Sequence, residues 1–289
     1  MNNLKGKTIL ITGASGLIGS HLVRSLKDID CEVYGTSYKT EGYLQGDLTD
    51  LEFVKSLPLA DYIIHCAGYA QPKKFLSDPI RTIKLNTSTL IELFGRLKPQ
   101  GKLLFLSTSE IYSGARPPYK ETDIGTTTPT HARACYIESK RCGEAICMAY
   151  GANVVRLSLI YGPVKADDER VMSDIIRQGL KGKIELLDQG QAIRTYCYID
   201  DAVEMIWNVL LKGKGTYNVG GYSRISIKEL AWRIGKYLRV PVALGKQSLD
   251  GAPQEVSLDM SKYESEFAKK EYISLDVGLK HTIESFKGG

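Results

Sequence analysis

The sequence predicts an α/β fold: a doubly wound parallel sheet followed by a smaller C-terminal mixed α/β lobe. Three observations carry that expectation. Short apolar runs recur along the first half of the chain and are continuous rather than alternating, as strands buried on both faces are. Stretches of helical period separate them, so consecutive strands are joined by crossover helices and run parallel. Past Pro163 the alternation loosens, which sets a main domain over 1–162 and a second lobe over 163–289, some of whose segments return to the main domain.

Taken in order, "TILITG" reads as the first strand and the stretch from about Gly16 to Leu26 as the first helix. "CEVYGTS", a third short strand before "GDLTD", "ADYIIHCAG", "GKLLFLSTS" and "ANVVRLSLIYGP" read as further strands. In the lobe, a helix is expected near Met172 to Lys181, then a strand at "IELLD". "TYCYIDDAVEMIWNVLL" and "TYNVGG" follow, then a helix from about Ser226 to Leu238. No internal repeat or low-complexity segment interrupts this pattern.

Composition excludes several classes. The chain has 289 residues, 43% of them hydrophobic, enough to bury a sizeable core. A formal charge of +5, from 38 basic and 33 acidic residues, is spread along the chain without a dense basic run. That argues against nucleic acid and suits an anionic small substrate. No apolar stretch approaches the ~20 residues that cross a bilayer, and the N-terminus lacks a cleavable apolar segment. A soluble, cytoplasmic protein with no membrane partner is therefore expected. Cys31, Cys66, Cys135, Cys142, Cys147 and Cys197 show no paired spacing, so they read as free thiols without a disulfide or metal role.

"GASGLIG" places Gly13, Gly16 and Gly19 between the first strand and the first helix, with Ser15, Leu17 and Ile18 in the same turn. Glycine lets backbone approach a pyrophosphate, and the helix N-terminus offers unpaired N–H groups. In its strand-turn-helix setting the motif predicts a Rossmann-type dinucleotide site. Asp47 and Leu48 of "GDLTD" are candidates for the adenine edge and face. An NAD-selective site carries an acid about 20 residues after the glycines, yet "VYGTSYKT" supplies Thr36, Ser37, Tyr38 and Lys39. Ser37 and Lys39 are suited to a 2′-phosphate, so the expected cofactor is NAD(P), with NADP slightly favoured.

"YIESK" sets Tyr136 and Lys140 on one helical face. An ammonium beside a phenol favours the phenolate, and such a tyrosine accepts a proton from a sugar or alcohol hydroxyl while hydride leaves the same carbon. Upstream, Ser107, Thr108, Ser109 and Glu110 crowd the end of an apolar strand. Hydroxyls there suit a substrate; the carboxylate suits either a second acid/base or a simple strand-end cap.

The glycine turn, Thr108, and Tyr136 with Lys140 together resemble extended short-chain dehydrogenases/reductases of the nucleotide-sugar epimerase/dehydratase type. The resemblance spans nearly the whole chain, because "HCAG", Asn86 in "KLNTSTL", "RLSLIYGP" and "IRTYCYIDDAV" fall in the family's order. Within the family, "TSEIYS" followed by "RACYIESKRCGEAICMAY" is most similar to UDP-glucuronate decarboxylases and, less closely, to sugar 4,6-dehydratases. The resemblance implies that Thr108 hydrogen-bonds the sugar 4-hydroxyl, Tyr136 takes its proton, and Lys140 tunes the tyrosine and holds the nicotinamide ribose. It implies cofactor contacts at Ala67, Gly68, Asn86 and Ser107, a grip on the substrate diphosphate by Arg194, with Arg170 a further candidate for binding substrate, and a homodimer. Glu110 would then serve the C5 position of a transient 4-keto sugar. The chain departs from the decarboxylase pattern at Leu159, where an asparagine is usual, and at "GAPQEVSLDMSK", where Glu255, Val256 and Ser257 stand in place of an arginine-rich stretch. A 4-epimerase or 4-keto reductase stays open, as does a catalytically silent cofactor-binding protein.

Overall fold

The computed structural model describes residues 2–164, 168–247 and 255–287. The chain divides into two compact units, one built on Met1–Ala115, Glu121–Leu157 and Val203–Val219, the other on Arg116–Lys120, Ser158–Ala202 and Gly220–Gly289.

The first unit begins with β1 (Thr8–Thr12), α1 (Leu17–Arg24), β2 (Glu32–Ser37), β3 (Leu44–Gln45), α2 (Leu51–Ser56) and β4 (Ala60–His65). Three helices follow, α3 (Pro72–Ser77), α4 (Pro79–Asn86) and α5 (Ser88–Phe94), and then β5 (Leu97–Thr108). A 3₁₀ turn at Ser109–Tyr112, α6 (Ala134–Tyr150) and β6 (Asn153–Leu157) complete the run. These strands form a parallel sheet. Every residue of "TILIT" is buried, and so is the β5 run Leu103 to Thr108, which is why both strands read as unbroken apolar stretches. The core sits where β1, β4, β5 and β6 meet α2, α5 and α6, around Leu10, Val54, Ile63, Leu90, Phe105 and Val154.

The second unit takes β7 (Leu159–Tyr161), α7 (Val171–Leu180), β8 (Ile184–Glu185) and β9 (Ile193–Tyr198). From it, α8 (Ile199–Lys212) carries the chain back, and β10 (Thr216–Val219) pairs in parallel with β6. Among the described residues the first sheet then has the order β10-β6-β5-β4-β1-β2-β3. That order reverses direction between β1 and β4, and the carboxyl ends of those two strands are where doubly wound sheets bind ligands. The second unit continues with β11 (Ser223–Ser226), α9 (Ile227–Leu238), β12 (Val242–Ala243), β13 (Glu255–Val256), α10 (Ser261–Phe267) and α11 (Leu275–Lys287). In it, β9 pairs with β7, β11 and β13.

One expected strand is two. "ANVVRLSLIYGP" reads as a single apolar run, yet Asn153–Leu157 pairs with β5 and β10 while Leu159–Tyr161 pairs with β9. The break falls at Ser158, where the chain passes from one unit to the other. Hydrophobic continuity records burial, not which sheet a residue joins.

Candidate active site

The glycine turn stands at the β1/β4 reversal. Gly13 has φ +64°, and a Cβ there would lie 2.8 Å from the Ala67 Cα, so any other residue would push the turn after β1 off the turn after β4. At Gly19 a Cβ would strike the Gly13 carbonyl oxygen. The N-cap of α1 is Gly16, which makes no side-chain cap, so the first N–H groups of the helix stay open to an acceptor. Ser15, Leu17 and Ile18 lie in the same turn, partly buried. This open, positively polarised turn fits a pyrophosphate.

A hydrogen-bond chain ties the two turns together. His65 Nε2–H donates to the Leu85 carbonyl at 2.8 Å, leaving Nδ1 to accept from the Thr12 hydroxyl at 2.8 Å. The same hydroxyl oxygen accepts from Ala67 N–H at 3.1 Å. Burial drives the His65 pKa down to about 4, which keeps the ring neutral and the donor order fixed. The sequence marks His65 only as part of "HCAG" and Thr12 only as a strand residue, and neither carries a motif for this role.

At the adenosine end the structure adds one residue and commits another. Ser37 is buried, with its hydroxyl 2.9 Å from the Ser15 hydroxyl and accepting from Thr40 N–H at 3.1 Å, so it shapes the turn. Lys39 is exposed with its Nζ 5.3 Å from the Tyr38 ring centroid, and Arg81 from α4 lies over the same ring at 4.7 Å. Asp47 pairs with Arg81 at 2.6 Å and accepts from the Thr49 N–H and hydroxyl. Partial burial pushes the Asp47 carboxyl up, but these hydrogen bonds hold it below the usual carboxylate range. Leu48 is buried, its carbonyl accepting from Thr89 at 2.6 Å.

The catalytic candidates gather at the end of β5. Thr108 caps the 3₁₀ turn, its hydroxyl accepting from Glu110 N–H at 3.2 Å, and it also hydrogen-bonds the Tyr136 phenol. Lys140 is buried and donates to the Leu106 carbonyl at 2.6 Å; burial pulls its pKa down to about 8. Gly68 stands open beside Lys140 and Asn86: from where its Cβ would lie, Lys140 Nζ is 3.7 Å away and Asn86 Oδ1 3.8 Å. Asn86 donates to Thr82 O and to the Ser139 hydroxyl, each at 3.0 Å, while its buried Oδ1 has no partner. An orphaned acceptor beside an ammonium and a bare glycine fits the polyol edge of a nicotinamide ribose.

Two features of this cluster differ from expectation. Burial first, and then the charge of Glu110, push the Tyr136 phenol well above its ordinary value, against the opposing pull of Thr108 and Arg133. The tyrosine is thus held protonated, not lowered by Lys140. Glu110 is also no bare strand-end charge: its carboxylate pairs with Arg133 at 2.6 Å, both side chains about a quarter exposed (25% and 22%). Arg133 lies 5.3 Å from the Phe75 ring centroid, and Phe75 stacks on Tyr136 at 4.7 Å with ring planes 3° apart. Arg133 carries no sequence signal beyond its nearness to Tyr136 in "RACY", and Phe75, far upstream, carries none.

Ser107 and Ser109 are buried. Ser107 donates to Glu144 at 2.5 Å, and Arg156 grips that carboxylate through Nε at 3.1 Å and Nη2 at 2.7 Å. This buried pair clamps α6, and with it Tyr136 and Lys140, to β5 and β6. In the second unit, Arg170 bonds both carboxylate oxygens of Asp168 through Nε at 3.0 Å and the Ile160 carbonyl at 2.6 Å. Arg194, on β9, donates to the Ile193 carbonyl at 2.8 Å beside Tyr119 and Tyr196. Glu255 of the same unit pairs with Arg224 at 2.8 Å; residues 251–254 of that stretch lie outside the described residues.

Among the described residues no cluster of three or more His, Cys, Asp or Glu could hold a metal, and no helix is long and apolar enough to cross a membrane.

Known proteins resemble this chain over nearly its whole length. UDP-glucuronic acid decarboxylase 6 of Arabidopsis thaliana is 30% identical over 308 residues, covering 96% of this chain and 88% of the relative. Two solved structures share the fold: UDP-glucose 4-epimerase of Thermotoga maritima with UDP-glucose (TM-score 0.85, 24% identity, 97% of this chain and 99% of that one), and MoeE5 in complex with UDP-glucuronic acid and NAD (TM-score 0.83, 20% identity, 97% and 99%). The model of the NAD dependent epimerase/dehydratase family matches residues 9–220. The chain belongs to that family and is an NAD-dependent enzyme of the extended short-chain dehydrogenase/reductase type.

Proposed function

We propose that this enzyme oxidises a nucleotide-diphosphate sugar at C4 through a 4-keto intermediate, and that Glu110 serves a second step at C5, of dehydratase or decarboxylase type. The observation that carries the reading is the convergence of Thr108, Glu110 and Tyr136, with Thr108 hydrogen-bonded to the phenol and Glu110 acting on it through its charge. Plain oxidation and reduction at C4 need no such carboxylate. A uridine diphosphate sugar is the substrate class favoured by the names of the relatives.

Thr108 orients the sugar 4-hydroxyl, and the Tyr136 oxygen takes its proton once the positive charge that a bound oxidised nicotinamide would bring has drawn off the phenol's own proton. A bound nicotinamide dinucleotide supplies the acceptor for the hydride leaving C4. Gly13, Gly16 and Gly19 would hold its pyrophosphate, and Asn86 and Lys140 its nicotinamide ribose. Once C4 is a ketone, Glu110 takes the C5 proton and the C5–H electron pair moves onto the 4-keto oxygen. As that pair returns to form a C5–C6 double bond, the C6 hydroxyl leaves as water with the proton from Glu110, and the hydride taken from C4 would return to C6 as a proton returns to C5. With a uronic acid, carbon dioxide leaves C5 instead and the electron pair passes to the same carbonyl. Arg170 and Arg194 are proposed for the diphosphate, Lys39 and Arg81 for a 2′-phosphate that leans the site toward NADP. A homodimer is proposed on the resemblance, and a reducing compartment such as the cytoplasm suits six free cysteines.

One observation favours a second reading, a 4-epimerase or NADPH-dependent 4-keto reductase. A phenol kept protonated by burial is the form that donates to a 4-keto oxygen. Both readings require hydride exchange at C4. Uridine diphosphate glucose and glucuronic acid deuterated at C4 are to be mixed with the protein and NAD(P), the reaction quenched during turnover, and the reduced nicotinamide examined by mass spectrometry. Deuterium on the ring is expected; its absence with both sugars overturns chemistry at C4 on these substrates.

A further inference from the structure

We propose that Arg133 is the positioning residue of the site: it holds Glu110 as an ionised carboxylate beside Tyr136, so that the second step meets a base and not an acid. The inference rests on the reading of Glu110 as the C5 group.

Three observations support it. The Arg133–Glu110 contact at 2.6 Å is a short charge-assisted bond. The guanidinium also faces Phe75, whose ring stacks on Tyr136, so Arg133, Phe75 and Tyr136 form one column with Glu110 at its charged end. Finally, the Arg133 Nε–H is buried without a partner. A donor left unsatisfied costs stability, and a partly exposed ion pair returns little of it. The arrangement makes poor sense as a stabilising bridge and good sense as a fixture for the carboxylate.

The groups around Glu110 set the direction of the effect. On its own turn are the hydroxyls of Thr108 and Ser109, and Arg141 of α6 donates to the Ile111 carbonyl at 2.6 Å. From the N-cap of α6, Arg133 pairs with Glu110, while Tyr136 of that helix lies within its field. Nothing acidic among these named groups opposes Arg133, so its charge favours the carboxylate. An opposite charge at this range lowers a carboxyl pKa by about one to three units. Its removal also frees the side chain to move, and a misplacement of ~1 Å can cost about 10²-fold in rate.

The test uses two readouts. Protein labelled with ¹³C-glutamate is titrated by NMR, the Glu110 carboxyl being assigned by its loss in Glu110→Gln. In Arg133→Gln that signal is expected to titrate at least one pH unit above wild type, with Arg133→Lys between them. Proton exchange at sugar C5 in deuterated water is expected to fall about 10²-fold in Arg133→Gln, with its acid limb shifted upward, and to recover in part in Arg133→Lys. Superimposable carboxyl titrations would overturn the inference, as would unchanged C5 exchange in Arg133→Gln; if that variant does not fold, Arg133→Lys carries both comparisons. Wild type that transfers hydride but never exchanges C5 overturns the Glu110 reading instead, even where the titrations differ.

Discussion

His65 makes the turn at the β1/β4 reversal sensitive to acid. Burial lowers its pKa from the ordinary 6.5 to about 4 in the folded protein, so the unfolded chain binds a proton at pH values where the native ring remains neutral. The stability this neutrality contributes is fully present above pH 6.5 and is lost as the pH falls toward 4. At about 1.4 kcal/mol per pH unit over that interval, the loss amounts to about 3 kcal/mol. Asp61 does not mask the window: held down to about 2 by the Thr8 N–H with help from Lys98 and Lys7, it loses its contribution only below the ordinary carboxylate pKa. Urea unfolding at half-unit intervals from pH 8 to 4.5 measures the effect. Wild type is expected to lose stability below pH 6.5 with a slope approaching one proton. His65→Gln keeps a donor for the Leu85 carbonyl but loses the acceptor for Thr12; it should be about 1–2 kcal/mol less stable at pH 8 and show a flatter profile. Parallel profiles for the two proteins would refute the reasoning.

Three further outcomes are expected. Tyr136→Phe keeps the stack on Phe75 and should fold and bind dinucleotide normally, yet lose turnover by about 10²–10⁴-fold; activity within tenfold of wild type removes the tyrosine from proton transfer. Lys140→Met should lose turnover likewise and bind dinucleotide more weakly by calorimetry, because the ammonium beside Asn86 Oδ1 and Gly68 is gone; undiminished binding would contradict its place at the ribose. NADP(H) should bind at least as tightly as NAD(H), and Arg81→Met should weaken NADP(H) more than NAD(H) in the same titration; a tenfold preference of wild type for NAD(H) would count against Lys39 and Arg81 as 2′-phosphate contacts.

What the sequence discloses about this site follows the range of the interaction. The glycine turn and the Tyr136/Lys140 pair are local, with partners three to six residues apart on a turn or helix face, so spacing alone finds them. The burial of β1 and of the β5 end is likewise written in unbroken apolar runs. Arg133 and Arg81 act across 23 and 34 positions of chain, and nothing in their neighbourhoods says that they face Glu110 and Asp47. Ser37 shows the converse: its position after β2 suggests a ligand contact, but only the fold reveals that Ser15 and Thr40 engage its hydroxyl. The protonation of Tyr136 could not be read from "YIESK", because burial outweighs the charge spacing on which that motif relies.

Glu110→Gln separates the step proposed for Glu110 from hydride transfer. The change is nearly isosteric and leaves Thr108, Tyr136 and Lys140 in place. The variant is mixed with NAD(P) and uridine diphosphate sugars in deuterated water, while reduced nicotinamide is followed by absorbance and C5 by NMR. Reduced cofactor is expected to accumulate while C5 keeps its hydrogen, the reaction stalling at the 4-keto stage. Normal turnover by the variant would contradict it, as would wild type that never exchanges C5; either result would make Glu110 structural and the enzyme a 4-epimerase or ketoreductase.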